Sequence, residues 1–315
     1  MEQQKVDVAI IGECLIELTS NGTLAESSTL NKYFGGDTVT TAITVARLGG
    51  KASYVTKVGN DGFSEFILSS LQKENIDTSL IKTNEEQNGM YIVSNTQAKK
   101  ELLYYKRKTA ATKLAIEDLT EDYIKDLKLI YSTGIVQSLS ASARELVRES
   151  FKTARENEVL TAYDPNYTSC FMSSSDTKEL MEEIIEYADI IFLSLKGDAV
   201  RLYEMDSIDK AMKYFWDKGV KVVVIKSHID NGYYTGYKGT ITFTEFYNTT
   251  KAVDVTASGD VFNGGFLYAI TNGYTPGEAT KFASVVSGLQ TQNYGAIQSI
   301  PYLKNVMENM EACGI

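Results

Sequence analysis

Apolar and polar positions fall into repeating blocks along almost the whole chain. Short apolar runs of strand length are followed by longer stretches in which apolar residues recur every three or four positions. Val6 to Ile11 reads as a buried strand, Thr38 to Leu48 as a helix, Ala52 to Val58 as a strand and Phe63 to Asn75 as a helix. The rhythm resumes with a strand at Leu129 to Thr133, a helix from Ser142 to Asn157, a strand at Val159 to Tyr163 and a helix from Thr177 to Tyr187. It continues through the strand Asp189 to Leu193, the helix Ile208 to Lys218 and the β-branched run Val220 to Ile225. Strands separated by helices predict a doubly wound α/β fold, a mostly parallel sheet with helices on both faces. Two stretches break the rhythm. Met90 to Asn95 and Glu101 to Lys106 flank a polar turn at Thr96 to Lys100 and read as an antiparallel hairpin, either an edge decoration or a lid over a substrate. A second hairpin is expected at Tyr233 to Tyr237 and Thr240 to Phe246, after which the chain finishes in helices.

Composition narrows the function more than the fold. The 315 residues allow one large domain or a large domain with a small appendage, and 43% apolar with 23% charged residues is an ordinary globular balance. Thirty-one Lys and Arg against 41 Asp and Glu leave a net charge of −10, the wrong sign for neutralising nucleic-acid phosphates or an anionic membrane surface. No apolar run approaches the roughly 18 residues of a membrane span, and Glu2, Gln3 and Gln4 precede the first one, so a cytoplasmic protein without a signal peptide is expected. His228 stands alone, which excludes a multi-histidine zinc site and leaves a histidine-based triad only through that residue. Cys14, Cys170 and Cys313 lie too far apart for a CxxC pair and read as reduced thiols. Neither a Walker A loop nor a GxGxxG fingerprint is present, so any phosphate site must come from a different loop.

Such a loop exists at Val253-Asp254-Val255-Thr256-Ala257-Ser258-Gly259-Asp260, ahead of the apolar stretch Val261 to Ile270. Small residues where a helix begins allow the backbone N–H groups of Ala257, Ser258 and Gly259 to approach an anion, helped by the helix dipole. Asp260 falls in the first turn, where the dipole and N–H groups are expected to keep it ionised at neutral pH. A carboxylate beside a phosphate cradle suits proton removal from a hydroxyl attacking phosphorus. Taken alone, the same residues could simply cap a helix.

Two further segments decide between these readings. Gly35-Gly36-Asp37-Thr38 opens a helix ending at Gly49-Gly50, and a strand then leads to Val58-Gly59-Asn60-Asp61-Gly62-Phe63. These segments and the Asp254 to Asp260 run resemble the N- and C-terminal signatures of the ribokinase-like (PfkB) sugar kinases, in the right order over nearly the whole chain. Within that family Ile11 to Leu18, Phe34 to Thr38, Tyr104-Tyr105-Lys106, Ala110-Ala111, Thr133-Gly134-Ile135 and Asp164-Pro165-Asn166-Tyr167 are most similar to the 2-keto-3-deoxygluconate kinases. The resemblance implies a single α/β domain over residues 1–315 with a β lid from about 12–34 and 88–107. It implies ATP-dependent phosphorylation of a primary hydroxyl, with Asp260 as base and the Ala257, Ser258 and Gly259 N–H groups stabilising the transferred phosphoryl group. Gly35, Gly36 and Asp37 would hold sugar hydroxyls, and Tyr91, Tyr105 and Lys106 would face the sugar. Asn166, Ser194, Lys226, His228 and Gly259 would border ATP. Asp254 would border a K+ loop, and Asp198 would act on Mg2+ through water. Lid pairing implies a homodimer.

Several residues depart from that pattern. Thr168 and Lys106 stand where arginines are usual, so an acid group on the substrate must be met by Lys106 or by Arg107. Adjacent strand residues face opposite ways, so only one of the two can reach the pocket, and a solvated basic edge at Lys106, Arg107 and Lys108 remains the alternative. His228 occupies a usual glycine position, Ser194 to Asp198 keeps one acid of a magnesium motif, and Thr40 replaces a usual Asn. A fructokinase or other neutral-sugar kinase, and a non-catalytic sugar-binding regulator, therefore stand beside the sugar-acid kinase reading.

Overall fold

The computed structural model describes residues 6–20, 22–95, 100–247 and 252–314. Its main sheet has eight strands, in spatial order Thr240–Glu245, Gly232–Tyr237, Val222–Ser227, Ile190–Ser194, Leu160–Asp164, Leu129–Thr133, Val8–Ile11 and Ala52–Val55. From Val222–Ser227 to Ala52–Val55 every pairing is parallel, and the final hairpin adds two antiparallel strands at one edge. The doubly wound fold expected from the βα rhythm is what the chain adopts.

Period-two alternation sends successive strand residues to opposite faces, and both faces are apolar because helices cover both. Leu129 and Tyr131 join Phe192, Phe262 and Phe266 on one side, whereas Ile130 packs with Phe151, Tyr163 and Ile191 on the other. Helices Asp37–Arg47, Ser258–Thr271 and Pro276–Gln290 cover the first face, and Ala141–Glu156, Ser174–Ile184 and Ile208–Asp217 the second. Where the periodicity set bounds, for Asp37–Arg47, Ala141–Glu156, Ser174–Ile184 and Ile208–Asp217, the observed ends lie within three residues of them. A five-residue π-helical turn at Leu195–Ala199 has no counterpart in the periodicity.

A second sheet of four strands runs Asn31–Gly35, Leu15–Ser20, Met90–Asn95 and Lys100–Tyr105. The hairpin expected at 90–106 is its outer pair, with Met90 opposite Tyr105, while Thr96 to Lys99 of the expected turn lie outside the described residues. Leu15–Ser20 pairs with Met90–Asn95 in parallel, so the hairpin is built into a sheet rather than hung on an edge. In parallel strands all carboxyl ends share one edge, where doubly wound folds bind ligands. Between that edge and the small sheet lies a cleft of about 510 Å³.

Candidate active site

Two helices begin at the cleft and carry an aspartate in their first turns, Asp37 in Asp37–Arg47 and Asp260 in Ser258–Thr271. Their close approach depends on Gly264, where a Cβ would lie 2.5 Å from Thr44 Cβ and 2.7 Å from Thr41 O. Thr41 Oγ1 also donates to Asp260 O at 3.2 Å, locking the two first turns together. Asn166, in the left-handed region at φ 45°, donates from Nδ2 to both Asp37 Oδ2 and Asp260 Oδ1 at 3.4 Å. Thr133 Oγ1 donates to Asp37 Oδ2 at 2.7 Å. Asn166, read from the sequence as a nucleotide neighbour, thus bridges the two carboxylates.

Electrostatics corrects one expectation directly. Burial above all, then the negative charge of Asp37, pushes Asp260 up to about 8, against the pull of Lys226 downward. The helix dipole does not keep this carboxylate ionised at neutral pH, because removing it from water outweighs a terminal half-charge. Burial likewise raises Asp37, opposed by the hydrogen bond from Thr133.

Ala257 opens the helix in the left-handed region, φ 60° and ψ 12°. Ser258 N donates to Val255 O at 3.2 Å, so it is already engaged. Among the described residues the N–H groups of Ala257 and Gly259 find no protein acceptor, leaving two donors rather than three for an anion beside Asp260. Lys226 Nζ lies 2.9 Å from Asp164 Oδ2 and 3.4 Å from Gly259 O, which ties the neighbouring strand end to this helix. Asn263 Nδ2 completes the brace, donating to Asp164 Oδ2 at 2.8 Å and to Tyr131 OH at 3.0 Å.

The opposite wall comes from the small sheet. Tyr91 donates to Glu17 Oε2 in a short hydrogen bond, and both line the cleft with Gly35, Gly36 and Thr168. Lys106 Nζ sits 2.9 Å from Glu13 Oε2 and 4.2 Å from the centre of the Phe171 ring. Glu13 is 3% exposed and also accepts from Thr109 Oγ1 at 3.1 Å, so the lysine neutralises a buried carboxylate. Tyr105 does not reach this cleft. Tyr104 does, two positions from Lys106, with its ring 4.8 Å from that of Phe171. Alternation along the strand was the available signal, since Lys106 and Tyr105 cannot face the same way while Lys106 and Tyr104 can. Arg107 likewise lies outside the cleft.

Other candidate residues are placed less centrally. Asp198 Oδ2 accepts from Ser194 N and Ser194 Oγ at 2.6 Å, and Oδ1 accepts from Tyr167 N at 3.1 Å. Burial and then Asp164 push Asp198 up to about 6 despite these donors. Asp254 accepts from Thr256 N at 2.9 Å and Gly295 N at 3.1 Å, joining its loop to the segment before the last helix. His228 is exposed, its ring 5.5 Å from that of Phe246. Among the described residues no group of three or more His, Cys, Asp or Glu could hold a metal, and no helix is long and apolar enough to cross a membrane.

Comparison with known proteins fits this geometry. The profile of the pfkB family of carbohydrate kinases matches residues 5–303. An ATP-dependent 6-phosphofructokinase of Thermoanaerobacterium thermosaccharolyticum is 29% identical over 310 residues, 97% of this chain and 94% of that protein. The 2-dehydro-3-deoxygluconokinase of Escherichia coli K12 is 29% identical over 303 residues, 92% of this chain and 96% of that protein. An uncharacterized sugar kinase of Pyrococcus horikoshii, solved in complex with ATP, superposes with a TM-score of 0.79 at 27% identity, covering 97% of this chain and 99% of that one.

Proposed function

This chain belongs to the pfkB family of carbohydrate kinases, and from that premise we propose that it transfers the γ-phosphate of ATP to a primary hydroxyl of a sugar acid, with 2-keto-3-deoxygluconate as acceptor. The observation that carries the reading is the position of Asp260, between two N–H groups without protein acceptors and the Gly35 to Asp37 pocket. The matching 2-dehydro-3-deoxygluconokinase supports the acid acceptor.

In this mechanism Asp37, Gly35 and Gly36 hold sugar hydroxyls, and Asn166 keeps Asp37 and Asp260 in register. Asp260, once ionised, takes the proton of the attacking hydroxyl, while the N–H groups of Ala257 and Gly259 stabilise charge on the phosphoryl oxygens. Lys226 lowers the cost of ionising Asp260. Lys226 and Gly259 are assigned to the nucleotide phosphates, with Ser194 and His228 at the periphery of that site. Asp198, with its oxygens engaged by Ser194 and Tyr167, would act on a magnesium ion through water, and that ion, held by phosphate and water, would neutralise charge on the phosphates. Asp254 shapes the loop assigned to K+. The four-stranded sheet serves as lid and as the contact of a homodimer, and the reaction is placed in the cytoplasm.

The acceptor is tested by ADP release across sugars and sugar acids, together with Lys106→Met. Removing Lys106 also strands Glu13, so Glu13→Gln/Lys106→Met is measured beside it. A charge-assisted hydrogen bond of about 1.5 to 3 kcal/mol predicts a roughly 10- to 150-fold rise in KM for 2-keto-3-deoxygluconate. Fructose should be unaffected in the double variant. Equal changes for both sugars, or faster turnover of fructose by the unaltered enzyme, would replace the acid-sugar reading with the neutral-sugar one.

A further inference from the structure

Behind the wall formed by Tyr104, Lys106 and Phe171 lies a second cavity, of about 750 Å³, which shares those three residues with the sugar cleft. Lys106, Arg107 and Lys108 all border it. Strict strand alternation forbids three consecutive side chains on one side, but the strand ends at Tyr105 and Lys108 takes the left-handed conformation at φ 54°, so the turn gathers them. Among the described residues no Asp or Glu lines the cavity. Among the described residues neither Arg107 nor Lys108 makes a side-chain hydrogen bond or an ion pair. In a chain of net charge −10, adjacent cations without counter-ions around a concavity are an anion site by charge and by shape. Tyr105, 56% exposed, offers a ring face at the same cavity.

We infer that this second cavity binds a small sugar phosphate, its phosphate on Arg107 and Lys108 and its sugar against Tyr105, and that it communicates with the acceptor cleft through Lys106. Lys106 has one ammonium and already serves Glu13. An anion on its far side competes for it, so occupancy weakens binding of an acidic acceptor and, by reciprocity, the acceptor weakens the sugar phosphate. Sugar phosphates are also the class to which the product of the proposed reaction belongs. Only the coupling rests on the kinase reading; binding does not.

Cys170 lines the cavity and is exposed, whereas the exposed Cys313 lies on the C-terminal helix, so alkylation by iodoacetamide reports on each separately by peptide mass spectrometry. Glucose 6-phosphate is the probe, with inorganic phosphate and glucose beside it. Expected is a saturable slowing of Cys170 alkylation by glucose 6-phosphate, weaker slowing by phosphate, none by glucose, and no change at Cys313. Arg107→Gln and Lys108→Gln, both at exposed positions, should each raise the half-protecting concentration roughly tenfold, the worth of one charge-assisted hydrogen bond. In the coupled assay glucose 6-phosphate should raise the acceptor KM of the unaltered enzyme and leave that of the Arg107→Gln/Lys108→Gln protein unchanged. Absence of protection, equal protection by glucose, or protection that survives both substitutions overturns the site, the last result placing the ligand in the acceptor cleft. Phosphate protecting as well as glucose 6-phosphate overturns the assignment of a sugar phosphate. Protection without any change in acceptor KM overturns the coupling. Cys170 protection is read without catalysis, so its failure is distinct from failure of the kinase reading.

Discussion

At the residue scale the chemistry turns on how far burial moves a carboxylate. Asp260 is raised to about 8 by burial and by Asp37, so across the range in which an unfolded aspartate has ionised the folded protein retains the proton. The unfolded state is therefore favoured progressively as pH rises from about 4 to about 8, and this group costs stability there. Asp260→Asn removes that cost. The melting temperature of Asp260→Asn relative to the unaltered protein should rise between about pH 5 and about pH 8, measured by calorimetry without ligands, and a difference that stays constant would refute the shift. Sequence reasoning located Asp260 and Asp37 through their signatures but misjudged this ionisation, because neighbouring charge and solvent exclusion depend on contacts such as Asp37 to Asn166 to Asp260, which span distant segments. Tyr104 was within reach of simple alternation from Lys106, whereas the pairing of Lys106 with Glu13 joins residues far apart in the chain and left no local signal.

Elements set those distances. The βα rhythm was legible because apolar runs buried on both faces contrast with amphipathic helices, and two helix starts marked by side-chain caps, at Ser140 and Ser207, were placed to within a residue. The π-helical turn after Ile190–Ser194 was not legible, since its geometry follows from Ser194 closing onto Asp198 rather than from any periodicity. The helix Asp37–Arg47 starts at Gly36, which has φ 138° and would place a Cβ 2.7 Å from Glu13 O. Only glycine meets both conditions without strain. Gly36→Ala is therefore expected to cost about 1 to 3 kcal/mol in urea unfolding and to raise the acceptor KM more than the ATP KM. Unchanged stability together with an unchanged acceptor KM would contradict the role assigned to this turn.

For the whole molecule, two sheets facing each other across the cleft make acceptor binding a property of their separation. Residues of about 12–34 and 88–107 were assigned to a β lid by resemblance; the strands of the smaller sheet run 15–20, 31–35, 90–95 and 100–105, the second of them ending one residue past the first range. Leu103, at 45% exposure, leaves apolar surface on the face of that sheet turned away from the cleft, which a second copy would cover. Light scattering behind size exclusion should give a dimer, and Leu103→Lys should shift it toward monomer; a monomeric unaltered protein would refute the dimer. Everything in the catalytic proposal converges on one proton acceptor. The decisive measurement is the turnover number of Asp260→Asn by ADP release with 2-keto-3-deoxygluconate, alongside its affinity for ATP by titration. A fall of about 100- to 10,000-fold with ATP affinity retained is the predicted result, and turnover close to that of the unaltered enzyme would contradict the mechanism.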